Sequence, residues 1–292
     1  MKTMGWLVCS AFIEKKGAQE RKTLMSFLSQ TQKEQLDTLP IPPVQLCEGL
    51  LSPQDLIEWV HPSWITLFLR SCSQEKISLF LSALPENITS VLQKNLLSSF
   101  PRFSLSKPAC SFLQNNLIKG LIGNQTTLLP KEALPLSPLQ DLFTLSSVQL
   151  SLLVSFLGLY DLTLEIRQII DTIRLKKIYH ALSKEKKAFL QFLSQRKASV
   201  IFKRIDLSEW KGDAEELLTI VYKRGMNRLA KALYTEQPSF VWYITRRMNS
   251  EDAHLFFSLH KKLDSPQAYA LLTEQVEEVL SFLRTYNLEE SV

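Results

Sequence analysis

Glycine is scarce in this chain, with 8 among 292 residues, which argues against a turn-rich β architecture and against a backbone cradle for phosphate. No Walker loop, GxGxxG, HExxH or GxSxG motif occurs, so nucleotide, zinc-protease and serine-hydrolase chemistry have no sequence footing. The four cysteines, Cys9, Cys47, Cys72 and Cys110, are separated by 38, 25 and 38 residues. No CxxC pair exists to build a zinc or dithiol site, and reduced, mostly buried thiols in a reducing compartment are expected. Histidine is equally sparse: His61, His180, His254 and His260. The last two, six apart, fall on different faces of a helix and make a poor metal pair. No run reaches the ~18 consecutive apolar residues of a spanning helix, so a soluble chain is expected. Catalytic residues, cofactors and metal ligands are all expected to be none.

What is abundant points to helices. The chain is 45% hydrophobic and 22% charged, with Leu, Lys, Gln, Glu and Ser prominent, a composition of helix formers large enough for about two domains. An all-α protein is expected. Lys+Arg number 34 against 29 Asp+Glu, a formal charge of +5 with pI near 8.9. That balance suits acidic partners but falls short of the excess typical of a nucleic-acid binder. The opening Met1-Lys2 and the apolar run from Met4 to Ile13 faintly imitate a targeting signal. Val8 stands before Cys9 where a small residue is wanted, and Glu14-Lys15-Lys16 follows, so a short first helix is the expected outcome.

Proline divides the chain. Leu39-Pro40-Ile41-Pro42-Pro43 must be extended or turned and ends a first helical segment, roughly 18 to 37. Residues 104 to 138, with Pro108, Gly120, Gly123, Asn124, Pro130, Pro135 and Pro138, read as an irregular connector with at most one helix, around Ala109 to Lys119. Helix starts are marked by Ser52-Pro53-Gln54-Asp55, Ser137-Pro138-Leu139-Gln140 and Ser265-Pro266-Gln267. Apolar residues then recur at three and four: Ile77, Phe80, Leu81, Leu84; Leu162, Ile166, Ile169, Ile170, Ile173; Leu271, Leu272, Val276, Val279, Leu280, Leu283. A weak repeat links the starts at Ser73, Ser183 and Ser250, each with an acid in the first turn and then an apolar face. Helical repeats stack short helices in this way, and so does any set of capped amphipathic helices. The carboxylates Glu274, Glu277 and Glu278 read as the solvated face of a terminal helix.

One charge feature stands out. Arg174, Lys176, Lys177, Lys184, Lys186, Lys187, Arg196, Lys197, Lys203 and Arg204 are opposed between 174 and 204 by the single acid Glu185. With Phe189, Leu190, Phe192 and Leu193 among them, the region is basic and amphipathic. It suits an acidic protein, anionic lipid or nucleic acid, or simply a solvated face over a buried aromatic stripe.

Two stretches carry a more specific likeness. Val60-His61-Pro62-Ser63-Trp64 through Leu69, then Ser73 to Leu81 and Ala83-Leu84-Pro85-Glu86-Asn87-Ile88, resemble the middle domain of the flagellar motor switch family FliG. That family opens a helix with Glu-His-Pro-Gln and joins the third helix through Ala-Leu-Pro-Glu. Val60 and Ser63 replace the Glu and Gln of the tetrapeptide. Arg228-Leu229-Ala230-Lys231-Ala232-Leu233, then Phe240, Ile244, Met248-Asn249-Ser250, Ala253, Leu255 and Gln275, resemble the FliG C-terminal domain. Together the two cover roughly a third of the chain, in the family's order.

The resemblance implies an armadillo-like helical-repeat stack with a C-terminal helical bundle. The implied layout is an N-terminal segment at 1–50, a FliG-middle-like domain at 51–104, a connector at 105–135, a helical block with a basic face at 136–205 and a FliG-C-terminal-like domain at 206–292. The family's charged torque positions match Tyr234, Glu251, Ser258 and Leu259 here, in place of a lysine, an arginine and two acids. Ile201-Phe202-Lys203-Arg204 stands near where the family's Met-Phe-x-Phe hinge would be. Torque is therefore not expected, because steering at a stator needs a definite alternation of exposed charge. What the resemblance leaves is a bacterial, non-enzymatic adaptor of a flagellar or, better, a type III secretion assembly, cytoplasmic and peripheral to the inner membrane. It would bridge membrane-ring and switch or sorting-platform proteins, with copies of itself in a ring, with no nucleic acid and only peripheral membrane contact. Docking is expected at His61, Pro62, Ser63 and Trp64, with Trp64 as an aromatic anchor. The alternative is a generic helical-repeat protein that binds nucleic acid or anionic membrane through 174–204.

Overall fold

The computed structural model describes residues 6, 9–10, 13, 18–38, 53–97, 100–123, 128–196, 201–203, 205–207 and 210–285. Among the described residues there are fourteen α-helices and short 3-10 turns but no strand; the all-α expectation is met. Trp6, Cys9, Ser10 and Ile13 are helical, while most of the reading of residues 1–17, and the reading of Leu39 to Pro43, lie outside the described residues.

Two compact units account for the chain: Met1–Leu136 with Gln237–Tyr243, and Ser137–Glu236 with Ile244–Val292. These units cut across the five segments expected from the sequence. The first unit contains α1 (Ala18–Ser26), α2 (Gln30–Asp37), α3 (Pro53–Trp59), α4 (Pro62–Arg70), α5 (Gln74–Ala83), α6 (Glu86–Leu96) and α7 (Lys107–Ile122). The single segment expected at 18 to 37 is two helices. Ser29 forms a capping box in which its hydroxyl accepts from the Gln32 amide at 3.3 Å and its own amide donates to Gln32 Oε1 at 2.9 Å. This reciprocal pair starts a new helix where the apolar pattern alone shows no break. α7 also extends the connector's one expected helix at both ends.

The core of this unit is made by Ile65 and Leu69 of α4, Ile77, Phe80 and Leu81 of α5, Leu92 of α6 and Leu117 of α7. The stripe Ile77, Phe80, Leu81, Leu84 is buried as its spacing predicts. The returning segment Gln237–Tyr243 fills the remaining space with Phe240, Val241, Trp242 and Tyr243, all buried. Its polar groups are matched: Trp59 Nε1 donates to the Tyr243 carbonyl at 2.9 Å, the Tyr243 hydroxyl donates to the Leu129 carbonyl at 3.0 Å, and Leu129 N donates to Ser239 Oγ at 3.1 Å. Satisfied indole and phenol groups allow these large rings to be buried without a desolvation penalty.

The second unit contains α8 (Ser147–Ile166), α9 (Thr172–Ala181), α10 (Lys184–Ser194), α11 (Ala214–Ala232), the last turn of α12 (Pro238–Arg247), α13 (Ser250–Leu259) and α14 (Pro266–Thr285). Ser137-Pro138 opens no α-helix. The Ser137 hydroxyl accepts from Leu139 N at 3.1 Å and leads into the 3-10 turn Gln140–Thr144. The α-helix begins later, at the capping box of Ser146 and Gln149. The stripe Leu162 to Ile173 is also interrupted, because α8 ends at Ile166 and Asp171 caps a new helix by accepting from Ile173 N at 2.8 Å. The Arg167 guanidinium turns away to the carbonyls of Leu193, Ser194 and Arg196, at 3.2, 2.9 and 2.7 Å, where it caps the negative end of α10. In the third member of the proposed repeat, Asn249 rather than Ser250 is the N-cap, accepting from Asp252 N at 2.8 Å.

α8 is long and apolar enough to cross a membrane by length and composition, yet 61% of its most apolar window is buried inside the unit. It runs against α11 at two glycines. A Cβ on Gly158 would collide with the Val221 carbonyl, and one on Gly225 with the Val154 carbonyl. The two pairs, Val154/Gly158 and Val221/Gly225, are each four apart, so each helix sets a glycine against the other's backbone. Around this crossing Phe189 of α10 packs on Phe156 at 5.4 Å and on Phe282 of α14 at 4.7 Å, ring centre to ring centre.

Gly158→Ala or Gly225→Ala is expected to lower stability by about 2 kcal/mol net, since overpacking against backbone outweighs the roughly 1 kcal/mol that alanine gains in helix propensity. Urea unfolding followed by circular dichroism measures it. Stabilisation by either substitution would show that the helices do not touch there.

Candidate functional site

The second unit buries a cluster of polar side chains in its core. Asp161 on α8, Arg228 on α11 and Gln275 on α14 are all buried. Arg228 Nη2 donates to Asp161 Oδ1 at 2.5 Å, and Nη1 donates to Gln275 Oε1. Arg224, one turn before Arg228, brings Nε to 3.2 Å from Asp161 Oδ2 and donates through Nη2 to the Lys203 carbonyl. The Arg228 guanidinium lies 5.3 Å from the centre of the Tyr160 ring and 5.4 Å from that of Phe202. Two guanidinium groups thus share one buried carboxylate. The node holds three helices in register.

Directly outward lies a cleft of about 450 Å³, lined among others by Tyr160, Thr163, Leu193, Arg196, Gln275 and Glu278. Glu278 is its hub, accepting a hydrogen bond from the Tyr160 hydroxyl and pairing with Arg196. Burial pushes the Tyr160 phenol well above its ordinary value, against the opposing charges of Arg228 and Arg196. Tyr160 therefore stays protonated and remains a donor. Glu274 and Glu277 are exposed as expected, but Glu278 is half-buried and engaged; the reading of all three as a solvated face is corrected for Glu278.

A second cluster closes the C-terminal end of α11, one turn beyond Arg228. Lys231 is buried and donates to the Lys261 carbonyl at 2.7 Å. Burial, with the Lys261 charge adding to it, lowers its ammonium pKa. His260 stacks on Phe256 at 5.2 Å, and its Nε2 stands 3.4 Å from the Leu233 carbonyl.

The positions singled out in the sequence are distributed as follows. His61 is the N-cap of α4, its Nδ1 accepting from Ser63 N at 3.2 Å, and Pro62 is the first helical residue. Trp64 is only 9% exposed, so its ring is part of the core and not an anchor offered to solvent. Of the torque-equivalent positions, Tyr234 is half-buried and stacks on Tyr269 at 6.0 Å, Glu251 and Ser258 are exposed, and Leu259 is half-buried. Of the basic face, Lys176, Lys177 and Lys184 are exposed, Lys186 and Lys187 are half-buried, and Lys197 lies outside the described residues. Arg196 is committed to Glu278 and stacks 4.2 Å from the centre of the Phe192 ring. The face is therefore narrower than its sequence span. Cys9, Cys72 and Cys110 are free thiols, each half-buried, where mostly buried thiols are expected. Among the described residues no group of His, Cys, Asp and Glu could hold a metal ion.

Asp161→Ala is expected to cost about 3–5 kcal/mol, because it leaves the Arg228 charge buried without its carboxylate. The double substitution Asp161→Leu/Arg228→Met should recover most of that loss, and chemical denaturation of the three variants tests the pairing. Acid sensitivity has a separate source. Burial, reinforced by Lys231 and opposed by the Leu233 carbonyl, holds His260 below its ordinary 6.5. Its neutral form is thus the folded form, so its contribution is complete above about pH 6.5 and is lost as pH falls through the lowered value. Melting temperatures from about pH 7.5 to about pH 5 should fall less steeply in His260→Gln than in the parent chain.

No family model, curated protein or solved structure matches this chain.

Proposed function

We propose that this protein is a non-enzymatic structural adaptor with a FliG-like body, linking a membrane-ring component to a cytoplasmic switch or sorting-platform component. The observation that carries the reading is apolar side chain left in water on the outer sides of successive helices. Leu67 of α4 is 47% exposed and Phe112 of α7 is 66% exposed, and Leu79 of α5 and Val91 of α6 are exposed as well. Exposed apolar side chains recurring over neighbouring helices mark protein contact more often than chance. They fall on and beside the stretch that resembles the FliG middle domain.

The docking face is accordingly moved from Trp64 to Leu67, one turn along α4, with His61 and Ser63 at the polar rim of the helix start. The armadillo-like stack and the C-terminal bundle at 206–292 belong to the same proposal, supported by helices with side-chain N-caps at Ser183, Asp213 and Asn249. Polar groups concentrated in the second unit are turned on one another, as Asp161 is on Arg224 and Arg228. That arrangement suits a structural role. Tyr234, Ser258 and Leu259 supply no charge at the torque-equivalent positions, and Tyr234 is stacked on Tyr269. A type III secretion apparatus, which needs an adaptor without rotation against a stator, therefore fits better than a flagellar motor. Such an adaptor sits in the cytoplasm at the inner membrane, in multiple copies around a ring.

Purified ring and sorting-platform subunits from the same organism should bind the full chain. Leu67→Asp and Phe112→Asp should each weaken one of these complexes tenfold or more, on the order of a buried interface anchor, without a change in melting temperature. Failure of the parent chain to bind any such subunit, or full binding by both variants, would overturn the proposal.

A further inference from the structure

α9 has one buried residue, Ile178. Its outward face is made by Ile173, Lys176, Lys177 and His180, at offsets of three, four and seven, all exposed. Ile170 stands just before the Asp171 cap. In a hydrophobic staple it would close against Leu175, four residues into the helix. Instead it is 93% exposed, and Ile173 is 66% exposed. Two exposed isoleucines and the lysines at 176 and 177 form a small amphipathic ridge on α9, and Lys184 follows, exposed, at the start of α10. Two carboxylates lie nearest in sequence: Asp171 is engaged as the helix cap, accepting from Ile173 N at 2.8 Å, and Glu185, held by its own amide and the Ser183 hydroxyl, also interacts with the charges of Lys184 and Lys186. Lys177 also reaches the Lys211 carbonyl at 3.4 Å, which fixes its stem along the surface.

We infer that this ridge rests on an anionic membrane surface, with Ile170 and Ile173 entering the boundary between headgroups and acyl chains and Lys176, Lys177 and Lys184 meeting lipid phosphates. The pairing of exposed aliphatic side chains with lysines is what selects a lipid surface. Nucleic acid would use the lysines but gain nothing from isoleucine, since it is gripped by phosphate contacts and by aromatic platforms for bases. An acidic peptide would need walls to bury its own apolar side chains, whereas a single three-turn helix and the loop before it offer a convex edge. The inference stands on α9 and its flanks alone, and holds whether or not the adaptor reading does.

Vesicle sedimentation with the full chain tests it, using phosphatidylcholine alone and phosphatidylcholine with about 30% phosphatidylglycerol, where the negative surface potential supplies the attraction. Binding is expected to the anionic vesicles only, and to weaken as salt is raised. Each Lys→Gln change at 176, 177 and 184 should reduce partitioning about fivefold, and the three together about a hundredfold. Ile170→Ser and Ile173→Ser should reduce it about tenfold each, with the far-ultraviolet circular dichroism unchanged because all five side chains are exposed. Three results would overturn the inference: no partitioning of the parent chain into anionic vesicles, vesicle binding unaffected by the two isoleucine substitutions, or tighter binding to a DNA duplex at equal salt.

Discussion

The second unit depends on one contact, the approach of α8 and α11 backbone to backbone at Gly158 and Gly225. Apolar side chains can fill many gaps, but only a missing Cβ on both sides allows two helices to close to carbonyl contact. That closeness sets everything around it. It places Asp161, three residues beyond Gly158, within reach of Arg228, three residues beyond Gly225. The ion pair is short because the glycines are there, and it is affordable in the core because both guanidinium groups and Gln275 converge on it.

The node and the crossing divide the labour between packing and specificity. Leucine and phenylalanine around Phe156, Phe189 and Phe282 form an apolar cluster, yet such contacts tolerate a helix sliding by a turn. A carboxylate that must meet two guanidinium groups does not tolerate it. Breaking the register would strand a charge in a medium that solvates it poorly, a penalty of several kcal/mol. On the solvent side, Glu278 performs the same service at lower stakes, joining α14 to α8 through Tyr160 and to the end of α10 through Arg196.

The helical class, the helix starts at Ser73 and Ser183, and the stripes on α5 and α14 are legible in the sequence, because each is a local pattern of a few residues. What escapes is whatever depends on a distant partner. Ile166 to Ile173 has helical spacing, but Asp171 finds a cap and Arg167 finds three carbonyls nearly thirty residues away, so the helix stops. Trp64 looks like an anchor until its neighbours bury it. The buried node did leave a signal: a lone aspartate in the second half of an apolar twenty-residue helix needs a charged or hydrogen-bonding partner. The sequence carries Asp161 in that setting, and only the fold says that Arg228 and Arg224 answer it.

The first unit is not continuous along the chain, for its core is completed by Trp242 and Tyr243, far downstream of Leu136. At roughly 5–20 residues per second a ribosome needs on the order of 5–20 s to deliver that missing piece after the rest of the unit has emerged. During this interval Trp59 lacks the carbonyl it will later donate to, and the half-built core faces water. Nascent chains of this protein thus offer chaperones a defined window, which ends when the Gln237–Tyr243 plug leaves the exit tunnel.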